Sequence, residues 1–507
     1  MDGPRTWQRG VAASYGPGPR DATLAPRMSG FMSMCWNGSR TLTLVPMIER
    51  LAILGATGDL TRRFLLPGLA TLMAKDQLPA GFLVTAVGRR EWTDDRYLDW
   101  ATSGDPPADT TGVGWQRLAT ALRYRTADVT AGSDLRPALA LNDRPVVLYL
   151  ALPPATFAPT INAIATAGAP EGSRVVLEKP FGEDLASARE LNALLHRVFP
   201  EDAVYRIDHF LHKQTVQNIL GLRFANRILE PLWTRDHIER VDIVWDETLG
   251  LEGRAGYYDR AGALIDMGQN HLLQLLCLIA MEPPATVSPR DLRDRKVEVL
   301  RAIHELTDAA VMTKTVRARY GAGRIGAHSA VAYVDEPGVD SSRATETFAD
   351  VELAIDNWRW SGVPLRLRTG KALARDRREI SVRFRAVPHL AFPETDPERN
   401  ELRLSLDPDA IHLGLNINGP GDPFDVERIQ LHAHLAKQDI PAYGRLLLGV
   451  LTGDPTFSIR DDEAEEAWRV IAPIRRGWAN DLTPLVEYPA GSDGPSVAWD
   501  TTRRLDP

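Results

Sequence analysis

Two short segments gather side chains able to move protons and hold anions. In RIDHFLHK (Arg206 to Lys213), His209 and Lys213 stand four apart. If the last residues of that segment begin a helix, the two share one face, where an imidazole and an ammonium would grip a phosphate dianion. His209 with His212 is the metal-ligand alternative, but three apart and without a nearby acidic triad they fall short of a ligand set. No metal site is expected. DMGQNHLLQLL (Asp266 to Leu276) is patterned as a helix, with Leu272, Leu273 and Leu276 as its apolar stripe. Asp266, Asn270 and His271 occupy the turns before that stripe. A histidine here suits either proton transfer near pH 7 or a hydrogen-bonded structural role. EKPFG (Glu178 to Gly182) places Lys179 at a strand's carboxyl end, where ligands of open α/β sheets bind. Pro180 stops that strand and is a candidate for a cis bond. WDETLGLEGRAGYYD (Trp245 to Asp259) offers Glu247 in a Gly-rich loop, a carboxylate of the kind that accepts hydrogen bonds from sugar hydroxyls.

These groups need elements to position them. Ile48, Leu51, Ala52, Ile53 and Leu54 read as a strand buried on both faces, broken at GATGDL (Gly55 to Leu60). A helix follows, with Leu65, Leu69 and Leu72 on one stripe. A second strand, Phe82 to Val87, ends at Gly88, Arg89 and Arg90. VVLYLAL (Val146 to Leu152) and RVVLEK (Arg174 to Lys179) repeat the buried-strand pattern around a helical stretch near Ala158 to Ala167. This alternation predicts a Rossmann-like α/β domain with a parallel sheet. Gly55 and Gly58 would let backbone N–H groups approach a pyrophosphate. The same turn also fits a tight connection with Asp59 capping the helix. The second strand tips the balance. Where an NAD site commonly ends in an acid, this strand ends in arginines, whose planar fork suits a 2′-phosphate. NADP is therefore favoured, with Arg89 its main 2′-phosphate contact and NAD use left open. Farther on, REISVRF (Arg378 to Phe384), ELRLSL (Glu401 to Leu406) and IHLGLNI (Ile411 to Ile417) alternate with period two. They predict an α+β domain with a large, mainly antiparallel sheet and one wet face.

The 507 residues carry 59 basic and 67 acidic side chains, a formal charge of −8. No basic field is available for nucleic acid or an anionic membrane, and neither partner is expected. Cys35 and Cys277 are the only cysteines, too few for a disulfide framework or a cysteine zinc site. With no apolar run near the ~20 residues of a membrane span, a cytoplasmic protein is expected. Residues 1–46, rich in Gly, Pro, Ser and Arg, read as a disordered extension. Beyond it the expected division is 47–207 for the coenzyme domain, 208–490 for the substrate and dimerisation domain, and 491–507 for a tail.

GATGDL, EKPFG, RIDHFLHK, the ETLGLEGRAGYYD loop, DMGQNHLLQ and RTGKAL (Arg368 to Leu373) follow one another in an order and spacing that closely resembles the glucose-6-phosphate dehydrogenase family. The likeness runs from about Arg50 to Val486 and includes ILEPLW, PAYGRLLLGVLTGD and EEAWRVIAPI. The resemblance implies NADP-linked oxidation of D-glucose 6-phosphate to the 1,5-lactone, the first step of the oxidative pentose phosphate pathway. It further implies His271 as general base oriented by Asp208, and His209 and Lys213 on the substrate phosphate. Glu247 and Asp266 would take the sugar hydroxyls, and Lys371 would reach in from the second domain. Lys179 would bridge substrate and coenzyme, and Gly55, Thr57, Gly58, Asp59, Leu60 and Arg89 would line the coenzyme site. A homodimer or homotetramer is implied through the antiparallel sheet. Three positions depart from the family pattern: His212 stands where glycine is usual, Gly268 where a bulky residue is usual, and Ile265 where many members have arginine. An alternative enzyme would act on an unphosphorylated ring, leaving the His209 and Lys213 pair without a task. A non-catalytic NADP-binding regulator would have lost His271 or Asp208, and both are present.

Overall fold

Runs of apolar residues without polar alternation need cover on both faces, which a parallel sheet between helices supplies. Such runs, joined by one polar edge strand, give the first sheet its six parallel strands: Arg50–Leu54, Leu83–Gly88, Leu122–Thr126, Val147–Leu150, Arg174–Glu178 and Val204–Ile207. In the computed structural model, which describes residues 32–35, 43–103, 112–139, 144–253, 255–392, 397–421, 424–436 and 438–496, they are mutually parallel. Their spatial order is third, second, first, fourth, fifth, sixth. The order reverses between the first and fourth strands, so a crevice opens outside their carboxyl ends. Leu122–Thr126 escaped the sequence reading because Arg123, Arg125 and Thr126 are exposed on it, the polar habit of an edge strand.

The second sheet has nine strands. In spatial order they are Val426–His434, Asp409–Asn418, Glu401–Leu406, Arg377–Phe384, Ile238–Asp246, Leu365–Gly370, Phe348–Leu353, Thr315–Gly321 and Leu485–Pro489. Two of its pairings are parallel and the rest antiparallel. One face buries Ile243, Ile380, Leu367 and Val351 with Leu264 and Leu272 of the helical run above them. The other face is charged rather than simply wet. Arg240 meets Asp242 at 2.9 Å, Arg366 pairs with Asp350, and Arg368 and Arg377 reach Asp246 at 3.0 and 3.2 Å. The run Ala255–Ala280 is long and apolar enough for a membrane span, but 89% of its window is buried inside the fold.

The chain does not separate cleanly in space at residue 207. Helix Ala442–Thr452 inserts Tyr443, Leu446, Leu447 and Val450 beneath the first sheet, against Leu51, Ile53 and Leu69. Arg174 Nη1 donates to the carbonyls of Val450 and Leu451 at 2.7 and 2.8 Å. Ser458–Ile459 then adds an antiparallel edge to Val204–Ile207. Within the N-terminal segment, Met32–Cys35 pairs antiparallel with Thr43–Pro46. These eight residues are strands where a structureless extension was expected, since each is a short run able to satisfy its backbone on the other; the rest of 1–42 lies outside the described residues. The start of the C-terminal segment is attached, with Arg368 Nη2 donating to the Asp493 carbonyl at 2.9 Å. Residues 497–507 lie outside the description.

Candidate active site

Because the strands of the first sheet are parallel, the residues that follow them emerge along one edge. Arg89 follows the second strand, Gly55 the first, Lys179 the fifth and Asp208 the sixth. Gly55 and Asp208 stand three strand spacings apart, about 14 Å. At the inner end, Asp208 is fully buried and saturated. It meets His271 Nδ1 at 2.7 Å and Lys179 Nζ at 3.0 Å, and accepts from the Phe210 N–H at 2.9 Å. Burial would raise its carboxyl, but His271 and Lys179 outweigh it and hold Asp208 well below the usual carboxylate range. An ionised Asp208 can only accept, so in the neutral His271 ring the proton sits on Nδ1 and Nε2 is the nitrogen able to take one. The His271 ring is fixed by Phe210, stacked at 4.0 Å and 18°, and by the edge of His209 at 5.2 Å. Burial lowers the Lys179 ammonium, against the pull of Asp208. The Lys179–Pro180 peptide is cis.

His209 and Lys213 come together, but not as helical neighbours. Residues His209–His212 form a tight 3₁₀ turn, and Lys213 is extended, with ψ 138°, at the cap of helix Gln214–Phe224. The shared helical face expected from their spacing is absent because Asp208 captures the Phe210 N–H and starts the turn earlier. Both still line one cleft of ≈ 990 Å³ with Phe64, Gln438 and Tyr443. Burial, then the neighbouring charge of His271, pushes His209 down to about 3. At neutral pH it is an uncharged N–H donor beside the Lys213 cation. Burial also lowers Lys213, whose Nζ sits over Phe210 at 4.4 Å and Trp245 at 4.6 Å.

Lys371 Nζ meets Glu247 Oε2 at 2.6 Å, and Trp245, whose ring carries the Lys213 ammonium, donates from Nε1 to Glu247 Oε1 at 3.2 Å. Burial raises the Glu247 carboxyl, but Lys371 wins and it lies below its usual range. Asp266 and His271 are the two residues of Leu264–Leu272 that are not fully buried. The assembled site is a proton acceptor with a free nitrogen, a cation for a dianion, and carboxylates for hydroxyls. Asp208, His209 and His271 could converge on a metal, with donor atoms within 4.8 Å of one another. Asp208, however, is already committed to His271, Lys179 and a backbone N–H.

The glycine turn fits a dinucleotide. Gly55 has φ +87°, and a Cβ there would lie 2.3 Å from the Ala151 carbonyl oxygen, so the backbone stays bare at the crevice. The turn is anchored by N–H donation from Gly55 and Ala56 to the Val87 carbonyl at 3.0 and 2.9 Å. Thr57 belongs to the same turn, and Leu60 lies in the helical stretch that follows it. Asp59 does not cap the helix: its carboxylate pairs with Arg63 one turn on, at 3.2 Å. Arg89 is exposed beyond the second strand, available to an anion. These residues fit a nicotinamide dinucleotide, which they could hold along the edge from Arg89 to Lys179.

Sequence reasoning missed the aromatic lining and one carboxyl. Tyr443 stacks on His209 at 5.6 Å and 19°, from a helix more than two hundred residues away; the PAYGRLLLGVLTGD segment was its only signal. Glu178, next to Lys179, accepts from the phenols of Tyr149 and Tyr443, and burial raises it to about 7.

The chain was compared with known proteins. Residues 52–218 match the family profile described as glucose-6-phosphate dehydrogenase, NAD binding domain, and residues 220–506 match its C-terminal domain. The glucose-6-phosphate 1-dehydrogenase of Treponema pallidum is 40% identical, over 92% of this chain and 95% of the relative. That of Mycolicibacterium smegmatis is 41% identical, over 87% and 93%. A solved glucose-6-phosphate dehydrogenase in complex with its substrate glucose 6-phosphate superposes with TM-score 0.80 at 30% identity, covering 89% of this chain and 96% of that one. The Mycobacterium avium enzyme superposes with TM-score 0.78 at 37% identity, covering 89% and 96%.

Proposed function

The chain belongs to the glucose-6-phosphate dehydrogenase family of oxidoreductases, and from that premise we propose that it oxidises the C1 hydroxyl of D-glucose 6-phosphate to 6-phospho-D-glucono-1,5-lactone with NADP as coenzyme. The observation that carries this reading is the His271–Asp208 contact, joined through the His209 ring, 5.2 Å from His271, to the cleft that His209 and Lys213 line. His271 Nε2 takes the C1 hydroxyl proton, and Asp208 keeps the ring in that tautomer and stabilises the imidazolium that forms. Lys213 supplies charge to the phosphate and His209 an N–H. Glu247 and Asp266 accept from sugar hydroxyls, and Lys371 holds Glu247 in place while reaching the substrate. Lys179 lies between the two ligands, paired to Asp208. The coenzyme, when bound, supplies the hydride acceptor. Gly55, Thr57, Gly58, Asp59 and Leu60 would line its site, with Arg89 on the 2′-phosphate. No metal is required by this chemistry. We further propose a cytoplasmic homodimer or homotetramer associated through the second sheet, whose outer strands expose Ile417 and Leu431 and whose connecting turn exposes Phe424.

An absorbance assay for reduced nicotinamide, with glucose 6-phosphate or glucose and with NADP or NAD, tests the reading. Turnover should require the phosphorylated sugar; equal rates with glucose would assign a different substrate. Arg89→Ala should raise the KM for NADP far more than that for NAD, because only NADP carries the phosphate it contacts. Equal effects on both would remove that role. Light scattering after size exclusion tests the assembly.

A further inference from the structure

The active face of the helical run Leu264–Leu272 depends on its register. Asp266 and His271 are five residues apart, about 140° out of alignment in an ordinary α-helix. The segment is instead a π-helix, whose i→i+5 bonding widens the turn and brings residues five apart much nearer to one face. What sets the start of that turn lies outside the substrate site. Gly262 breaks the preceding helix with φ 66° and ψ 176°. The next two N–H groups, which a helix start leaves without partners, both go to one residue. Ala263 N–H donates to the Glu346 carbonyl at 3.1 Å, and Leu264 N–H donates to Glu346 Oε1 at 3.0 Å. Glu346 leads into strand Phe348–Leu353, so the cap ties the turn to the second sheet. Its carboxyl fills the space beside Gly262: a Cβ there would lie 2.3 Å from Oε1 and 2.7 Å from both Cδ and Oε2. Burial raises the Glu346 carboxyl to about 7, against the Leu264 N–H, which favours its charged form.

We propose that Glu346 is a positioning residue, which fixes the start and register of the π turn so that Asp266 and His271 face the substrate together. The inference rests on the reading of His271 as the base, and its test separates the two. Wild type, Glu346→Ala, Glu346→Gln, His271→Asn and the double variant His271→Asn with Glu346→Ala are assayed with saturating glucose 6-phosphate and NADP, and each is melted. Glu346→Ala should lower kcat about 10- to 100-fold, the scale of an ångström-level misplacement, with KM for NADP changed less than about twofold. Glu346→Gln keeps an acceptor for the Leu264 N–H and should return kcat to within about threefold of wild type. In the His271→Asn background, removing Glu346 should cost less than about twofold more, since it acts through a side chain already gone. The same factor in both backgrounds, or no loss in Glu346→Ala, overturns the proposal. A Tm loss without a kcat loss overturns it equally. Wild-type turnover in His271→Asn alone would instead remove the base, and this inference with it. Should Glu346→Ala not fold, Gly262→Ala displaces the same carboxylate from the other side and is held to the same kcat and non-additivity criteria.

Discussion

At the residue scale the central fact is that one buried carboxylate serves three partners. Asp208 is ionised because His271, Lys179 and a backbone N–H all point at it, and that fixes which nitrogen of His271 is free. His271→Asn should therefore lower turnover roughly 10²- to 10⁴-fold with substrate binding retained, the usual yield of a general base; near-normal kcat would refute the role. The neighbouring imidazoles behave differently. His209 and His212 are held by burial at about 3 and about 4, against roughly 6.5 in an unfolded chain. Between those values the unfolded chain binds protons that the folded one refuses, so stability falls as pH is lowered from 7 to 5. Asp208 is shifted in the same direction, below its unfolded value, so its contribution is present above the unfolded carboxylate value and is lost only on further acidification. His209→Gln should flatten the drop in Tm between pH 7 and pH 5, and a slope identical to wild type would show that the folded ring is not neutral.

At the element scale, Gly268 sits inside the π turn. Its φ is not positive, and a Cβ there would meet only Leu264 Cδ1 at 3.5 Å, an ordinary contact. A small void lies beside it, lined by Leu264, Leu272, Val351 and Leu367. Gly268→Ala should stabilise the protein by about 1 kcal/mol, the difference in helix propensity, visible as a raised melting temperature with kcat within about twofold. A lowered Tm would mean that the widened turn itself needs glycine. The 3₁₀ turn at His209–His212 carries a related lesson, because a side chain that captures a backbone N–H can override the helix that residue spacing suggests.

At the scale of the molecule, the coenzyme domain is completed by a distant piece of chain. Leu446, Leu447 and Val450 are buried under the first sheet, and Ile48 N–H donates to the Leu451 carbonyl at 2.9 Å. The segment 47–207 produced alone would expose the apolar surface they cover. It should bind a dye for exposed apolar surface and unfold without a sharp transition, as followed by fluorescence and circular dichroism. Cooperative melting of that segment would show that helix Ala442–Thr452 is an accessory rather than part of the core.

The sequence alone determined the alternating strands and helices, the bare glycine turn and the order of the motifs, because buried-strand runs, helical stripes and glycine's missing Cβ act over a few neighbouring residues. It also put His271, Asp208, His209 and Lys213 forward as the groups with chemistry to offer. Tertiary structure closed the Asp208–His271 contact across 63 residues of chain, and it alone decided that Tyr443 covers His209, that Lys371 holds Glu247, and that Asp266 and His271 lie in a π-helical run. It likewise decided that His209 is neutral. Pairing, register and proton affinity depend on which groups are brought together out of water, and no local period of the sequence carries that information.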